Sequence, residues 1–451
     1  MKYWFAFLYN AWQLARASLL YVPAIFCLGF MVVTIGVFQL DLHFTDAFSD
    51  RRLIYGGTID EAKDILGLLL GSMITMTTLV ISITMVVLSL SASQLGPRLV
   101  RIFMSDRRTQ IYFGIFFGTI ALCFTCLGIL HDPASLGDTP RATMSFTFLM
   151  CFSNLFILLA YVNHVAQSGI ADNIIARLAT ELQESIDRLA SKDGGEAIRI
   201  NESGEGYFPD AQSHKKEALL SPAKGYIQSI QYQSLYKFAE QCDAFIQLRC
   251  KPGDYVAKGQ EIGFIYSATD ECSAEQVLNK VQGALLLGES RSATQDIEYS
   301  IRHMVEIALR ALSPGINDCY TAITVLDKLT GVLAHLFTLS LPRYAFKNEK
   351  GQLRLLGASC SEADIIFKAL AEIRHAGQGQ LIILENLITN IAILKSLAHN
   401  QAEQNALNLQ LTYIMQHINQ HFANTPTETI LNNLLSEKGL TAKIKNDASH
   451  T

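Results

Sequence analysis

Apolar and polar residues alternate in long blocks over the first third of the chain and in short ones afterwards. Four blocks are long enough to cross a hydrocarbon layer of roughly 30 Å, which takes about 20 residues of helix. They run from about Leu19 to Leu40, Ile65 to Leu90, Ile111 to Leu130 and Met144 to Val162, and predict a transmembrane domain over residues 1–168. Next, Ile170, Ile174, Ile175, Leu178, Leu182, Ile186 and Leu189 recur at helical spacing beside acidic and basic positions, the pattern of an amphipathic stalk helix over 169–190. Residues 191–222 are rich in Gly, Ser, Glu and Lys and predict a flexible loop. From Gly225 the period drops to two, in the runs around Tyr226–Ile230, Ile246–Cys250 and Ile262–Tyr266. With Pro252 and Gly253 at the positions a type II turn favours, residues 223–270 predict a small β-rich, barrel-like domain. Helical spacing returns over 271–442, broken by a hairpin pattern near 344–356, and 443–451 is a loose polar tail.

The expected architecture is therefore a multi-pass α-helical membrane bundle of four spans with both termini inside. An α+β cytosolic region follows, made of a small β-barrel-like segment and a helical lobe. Orientation comes from the basic residues: Arg98, Arg101, Arg107 and Arg108 lie between the second and third spans, whereas Arg141 stands alone between the third and fourth. Lys2 and Arg16 precede the first span.

The second apolar block is unusual, because Ile65 to Pro97 contains no charged side chain yet carries hydroxyls in register. At about 100° per residue, Gly71, Thr75, Thr78, Ser82, Ser89 and Ser93 fall in one narrow sector, interrupted by Val86. Thr77, Thr84 and Ser91 recur every seven residues on the opposite side. Small hydroxylated residues let membrane helices approach and can bond their own i−4 carbonyls, so helix packing is one reading. The other is a pore lining, in which Val86 narrows the path and Arg98 and Arg101 stand at its inner mouth and favour anions there.

In the soluble part, Glu298, Arg302, Glu306 and Arg310 alternate in sign four residues apart, the spacing of helical ion pairs. Ser313-Pro314-Gly315-Ile316-Asn317-Asp318 then breaks the helix, with Asn317 or Asp318 placed to cap the next. As a ligand or subunit contact this turn offers Arg310, Ser313, Gly315, Asn317 and Asp318, with free helix amides able to hold an anion. His303 and Glu306 have i,i+3 spacing but no accompanying His or Cys cluster, so no metal site is expected. Cys123 and Cys126 form a CxxC inside the third span, where packing is the expected role.

Composition supports this picture. Half of the 451 residues are apolar, and the 36 basic against 41 acidic residues leave a net charge of −5, which suits no nucleic-acid partner. Nine cysteines show no disulfide-framework spacing, as expected of a chain with little mass in an oxidising compartment. Nucleotide-binding, zinc-protease and hydrolase motifs are absent, so neither a catalytic residue nor a cofactor is expected.

The stretches Ser93-Gln94-Leu95-Gly96-Pro97-Arg98-Leu99, His164-Val165-Ala166 with Asp172-Asn173, and Glu306 to Asp318 resemble an uncharacterised family of predicted bacterial inner-membrane proteins, a domain of unknown function. Cys319 stands where that resemblance leads one to expect Pro. It implies a bacterial inner-membrane location and no particular activity. Two functions remain open: a homo-oligomeric ion pore lined by the second span and regulated by the cytosolic part, or a membrane-tethered scaffold or sensor whose cytosolic region binds a partner or small ligand. Besides the bilayer, the expected partners are further copies of the chain and an ion or anionic ligand.

Overall fold

The computed structural model describes residues 20–43, 55–95, 106–131, 139–168, 171–192, 215–267, 274–339 and 344–440. The chain divides into two compact units at Asn173 and Ile174.

The first unit holds four helices long and apolar enough to cross a membrane: α1 (Tyr21–His43), α2 (Ile59–Leu95), α3 (Arg107–Leu130) and α4 (Arg141–Ser168). At 37 residues, α2 is about 55 Å long and outreaches the hydrocarbon layer. It starts before the apolar block because Thr58 and Glu61 form a capping box, the Glu61 carboxylate accepting from the Thr58 amide at 2.9 Å and the Thr58 hydroxyl from the Glu61 amide at 3.3 Å. The most enclosed helix is α3, with half of its apolar stretch buried. Its Gly114 and Gly118 admit the rings of Phe26 and Phe30 from α1, since a Cβ at Gly114 would stand 2.8 Å from the Phe26 ring. The start of α4 is capped from another helix: the buried Asp41 carboxylate of α1 accepts from the amides of Ala142 at 3.0 Å and Thr143 at 2.7 Å.

The second unit begins with α5 (Ala171–Lys192), whose described part from Ile174 buries Ile175, Leu182 and Ile186 within this unit, so its apolar stripe is a docked face. Two open sheets follow in place of the expected barrel. One has five strands in the order β1 (Lys215–Leu220), β5 (Glu261–Ser267), β3 (Ala244–Leu248), β8 (Leu353–Leu356) and β7 (Ala345–Lys347), with β3 and β8 parallel. The other has β4 (Tyr255–Val256), β2 (Gly225–Ile230) and β6 (Leu285–Gly288). Closure fails because β2 pairs with β4 and β6 in a sheet of its own, while β8 extends β3 from far along the chain. β1 falls inside the stretch expected to be loop. Two helices, α6 (Tyr232–Gln241) and α7 (Ala274–Ala284), complete this layer. Cys242 at the end of α6 is disulfide-bonded, against the expectation of free thiols.

The helical lobe consists of α8 (Ile297–Ala311), α9 (Cys319–Phe337), α10 (Glu362–Ala376), α11 (Leu381–Leu397), α12 (Gln401–His421) and α13 (Pro426–Glu437). Side-chain oxygens of Asp296, Asp318, Ser361, Asn400 and Thr425 cap five of them. Arg374 of α10 is 8% exposed and donates to Gln410 at 3.1 Å and to Nε2 of His417 at 3.0 Å, both on α12. Arg is only a donor, so His417 is a neutral acceptor there. Burial, the Arg374 charge, and His421 and His375 hold the His417 imidazole below its ordinary pKa. The unfolded chain binds this proton more readily than the folded one, so the contribution is complete above about pH 6.5 and is lost as pH falls. The thermal unfolding midpoint of this unit should therefore drop between about pH 7 and 5, and His417→Gln should flatten that slope; an unchanged slope would refute the assignment.

Candidate functional site

On α2, one side is packed and the other is bare. Leu66, Met73, Thr77, Val80, Thr84, Leu88 and Ser91 are buried against the rest of the unit. Gly71, Thr75, Thr78, Ser82, Val86, Ser89 and Ser93 are all exposed, about half a turn away. The hydroxyls of Thr75, Thr78 and Ser82 each donate to the carbonyl four residues earlier at 2.9 Å, and Ser93 donates to that of Leu90 at 2.8 Å. Packing within the subunit thus uses the other hydroxyl set. Of the stripe, Gly71 and Thr75 line a groove shared with Phe148, Phe152 and Leu155 of α4, while Thr78, Ser82, Val86, Ser89 and Ser93 lie along the exposed remainder of the face. Arg98 and Arg101 lie outside the described residues.

The structure also assembles polar side chains that periodicity passes over. Along α4, Thr143, Thr147, Cys151, Asn154, Tyr161 and His164 all turn toward other helices. Thr143 donates to Asp41 at 2.6 Å, and Thr147 meets Cys126 at 3.1 Å. Cys151 lies 3.6 Å from Cys123, and Asn154 donates to Thr119 at 2.8 Å. The Tyr161 hydroxyl bonds that of Thr84, and His164 lies 2.9 Å from Asp106. Asp106 also caps α3 through Thr109. Burial pushes its carboxyl up, but hydrogen bonds from His164 and Thr109 outweigh this and hold it below the usual range. The signal was the i, i+3, i+4 recurrence of polar residues within an apolar block, which in the fourth span is diluted by Met, Phe and Leu.

The turn after α8 stands at the surface. Asp318 caps α9 by accepting from the Thr321 amide at 3.1 Å and hydroxyl at 2.6 Å, and these bonds hold its carboxyl below the usual range. Asn317 takes a positive φ of 49° and accepts from Gln380 at 3.0 Å, while Cys319 donates to the same Gln380 at 2.7 Å. Ser313 donates to the Arg310 carbonyl at 2.6 Å, closing the end of α8. Gly315 has open space where a Cβ would stand. Beside these, Ile316 and Tyr320 are 45% and 75% exposed, so the turn presents apolar side chains outward.

Residues 16–392 match the family described as predicted membrane protein (DUF2254), which is most of the chain and includes all four apolar helices. The chain belongs to this family. Among curated proteins, it is 26% identical over 382 residues to the uncharacterized proteins MT1328 of Mycobacterium tuberculosis (strain CDC 1551 / Oshkosh) and Mb1321c of Mycobacterium bovis (strain ATCC BAA-935 / AF2122/97). Each alignment covers 82% of this chain and 71% of the relative. No solved structure matches.

This DUF2254 member also has an ionic cluster that the expected ladder misplaces. Arg302 and Glu306 do pair at 3.3 Å, but Glu298 turns inward. It accepts from Lys251, from Lys368 at 2.6 Å and from the Cys360 thiol at 2.6 Å. Burial pushes the Glu298 carboxyl up, yet Cys360, Lys251 and Lys368 together hold it at about 2. The same burial and the Glu298 carboxylate push Cys360 up to about 12, so this thiol stays protonated and unreactive. Beside it, Arg291 grips Asp296 at 2.8 and 2.9 Å. A cavity of about 50 Å³ beside Lys251, Glu298 and Cys360 is too small for more than water. The cluster is structural, tying the β-layer to α8 and α10. Glu298→Gln should destabilise the unit by about 2 kcal/mol, less than a fully buried pair costs because Lys368 is half exposed. That difference, measured by thermal unfolding of the intact chain, should persist above the ordinary carboxyl value of 4.5 and shrink as pH falls toward 2; equal stability at neutral pH would refute it.

Proposed function

We propose that the chain forms a homo-oligomeric ion pore in a bacterial inner membrane, lined by α2 and biased by the α+β unit. The observation that carries this is the exposed hydroxyl face of α2, set opposite the face that packs. A purely anchoring helix gains nothing from hydroxyls on its free side, since lipid offers them no partner. Copies arranged around an axis would turn the same stripe of each α2 toward one water-filled path. Internal bonding of Thr75, Thr78 and Ser82 to their own helix leaves lone pairs on each oxygen to face passing ions.

Arginine placement supports an orientation with both termini and the α+β unit in the cytoplasm, in which the segment carrying Arg98 and Arg101 follows the inner end of α2. The Cys242 bridge favours the opposite side, because disulfides persist in oxidising compartments. The four arginines between the second and third spans outnumber Arg51, Arg52 and Arg141 in the other two loops, and this sets our assignment. Among the soluble features, the exposed Ile316 and Tyr320 around Asn317 and Asp318 support a subunit or partner contact at the turn. They also carry the second reading, a tethered scaffold in which Arg310, Ser313, Gly315, Asn317 and Asp318 serve recognition alone.

In reconstituted bilayers, Val86→Ser should raise conductance severalfold by wetting the narrowest point, and Ser82→Asp should shift selectivity toward cations. Currents that are absent, or indifferent to both substitutions, would exclude the pore.

A further inference from the structure

Arg374 is a buried cation with no carboxylate against it. It donates to the neutral side chains of Gln410 and His417, and its guanidinium carbon lies 4.6 Å from the centre of the Tyr413 ring. Among the described residues no carboxylate pairs with it, and burial holds its pKa below the ordinary value. Two more histidines stand next to His417, their ring centres 6.5 Å away for His375 and 6.1 Å away for His421, and both are exposed. We propose that Arg374, His375, His417 and His421 form an oxyanion site that takes a phosphate group, either free phosphate or the headgroup of a lipid.

Three observations support it. First, the hydrogen bonding of His417 ends in a donor with nothing to meet it. Because Arg374 can only donate, Nε2 of His417 accepts, and the neutral ring must then carry its proton on Nδ1. Nδ1 is buried and has no partner. An N–H held in this way needs an acceptor, and an anion oxygen supplies one. Second, the charges that act on His417 are Arg374 and His375 from α10 and His421 from α12, none of them negative. Arg374 and His375 stand in the last turn of α10 and His421 in that of α12. Two helix C-termini offset about one charge between them, that of Arg374, and leave a protonated histidine beside it uncompensated. Third, separations of 6.1 and 6.5 Å let neighbouring imidazoles reach oxygens of a single anion.

Phosphate suits this set of donors better than a halide or a carboxylate does. Its several oxygens accept separately from Nδ1 of His417 and from the two flanking rings, and a charge of about −1.5 to −2 at neutral pH answers Arg374. His375 and His421 are exposed side chains, so their rings can turn to admit it. Arg374 is a positioning residue as well as a charge, because its bond to Nε2 is what keeps the His417 proton on Nδ1. Binding gives His375 and His421 a negative neighbour and draws protons onto them, so affinity rises as pH falls toward the ordinary histidine value of about 6.5. The site stands on the α+β unit alone and is independent of the α2 pore.

The test is equilibrium binding of radiolabelled inorganic phosphate to the purified full chain in detergent, at constant ionic strength. Phosphate should bind saturably, about fivefold more tightly near pH 6.5 than near pH 8.5. Replacing both exposed histidines, His375→Ala with His421→Ala, leaves the core intact and should weaken binding near pH 6.5 about tenfold and flatten its pH dependence. The same measurement with labelled short-chain phosphatidic acid distinguishes the two sources. Tighter binding of the lipid, lost in the same double variant, assigns the site to a headgroup, and tighter binding of inorganic phosphate assigns it to the free anion. Saturable binding of neither probe, or binding that is equal in wild type and the double variant, would overturn the site and leave the four side chains as cations set against helix C-termini.

Discussion

A hydrocarbon layer offers no water to a polar side chain, so every such group on a membrane helix must find its partner within protein. This constraint explains most of what the first unit does with its hydroxyls, thiols and carboxylates. The inner edge of α4 meets it between helices: Asp41 takes the free amides at the α4 N-terminus, and Asp106 ties the start of α3 to His164 near the end of α4. The α2 stripe meets it within one helix at Thr75, Thr78 and Ser82, each donating its hydroxyl proton to a carbonyl of the preceding turn. The first solution fixes helices against each other. The second leaves a face free to be turned toward something else.

Close approach of the helices makes the first solution reachable. Gly114 and Gly118 bring α1 onto α3, and the buried edges of α2 and α4 close around the remaining sides of α3. The α+β unit follows a related rule with formal charges. Glu298 stays ionised in a half-buried place because two lysines and a thiol donate to it, and Arg374 is held by neutral acceptors and an aromatic face. Where such groups cluster, the unit is tied together, and the pH dependence of stability follows from which proton each cluster resists.

Much of the architecture was legible. Four apolar blocks became four helices, and of the two cap candidates Asn317 and Asp318 it is Asp318 that caps α9. The register of the α2 stripe was legible too, because helix geometry alone sets it. Which side of α2 packs was not, since Thr77, Thr84 and Ser91 are chemically equivalent to Thr78, Ser82 and Ser89. The start of α2 was written in Thr58 and Glu61 but lay outside the apolar block that drew attention. Glu298 was read as part of a helical ladder because spacing shows only neighbours on the same helix. Lys251 and Lys368 reach it from distant segments, and long-range partners of this sort leave no local pattern. For the same reason β8 could not be foreseen beside β3, nor the open sheets in place of a barrel.

The central claim is that the free hydroxyl face of α2 meets water while the chain sits in a membrane. It is tested most directly by placing single cysteines along residues 71–93, in a background freed of reactive thiols, and labelling intact membranes with a small water-soluble methanethiosulfonate. Cysteines at Thr75, Thr78, Ser82 and Ser89 should react, while those at the equally exposed but apolar positions Leu79 and Leu90 should not. If the stripe positions stay as unreactive as Leu79, the face looks onto lipid or a dry interface, and α2 lines no aqueous path.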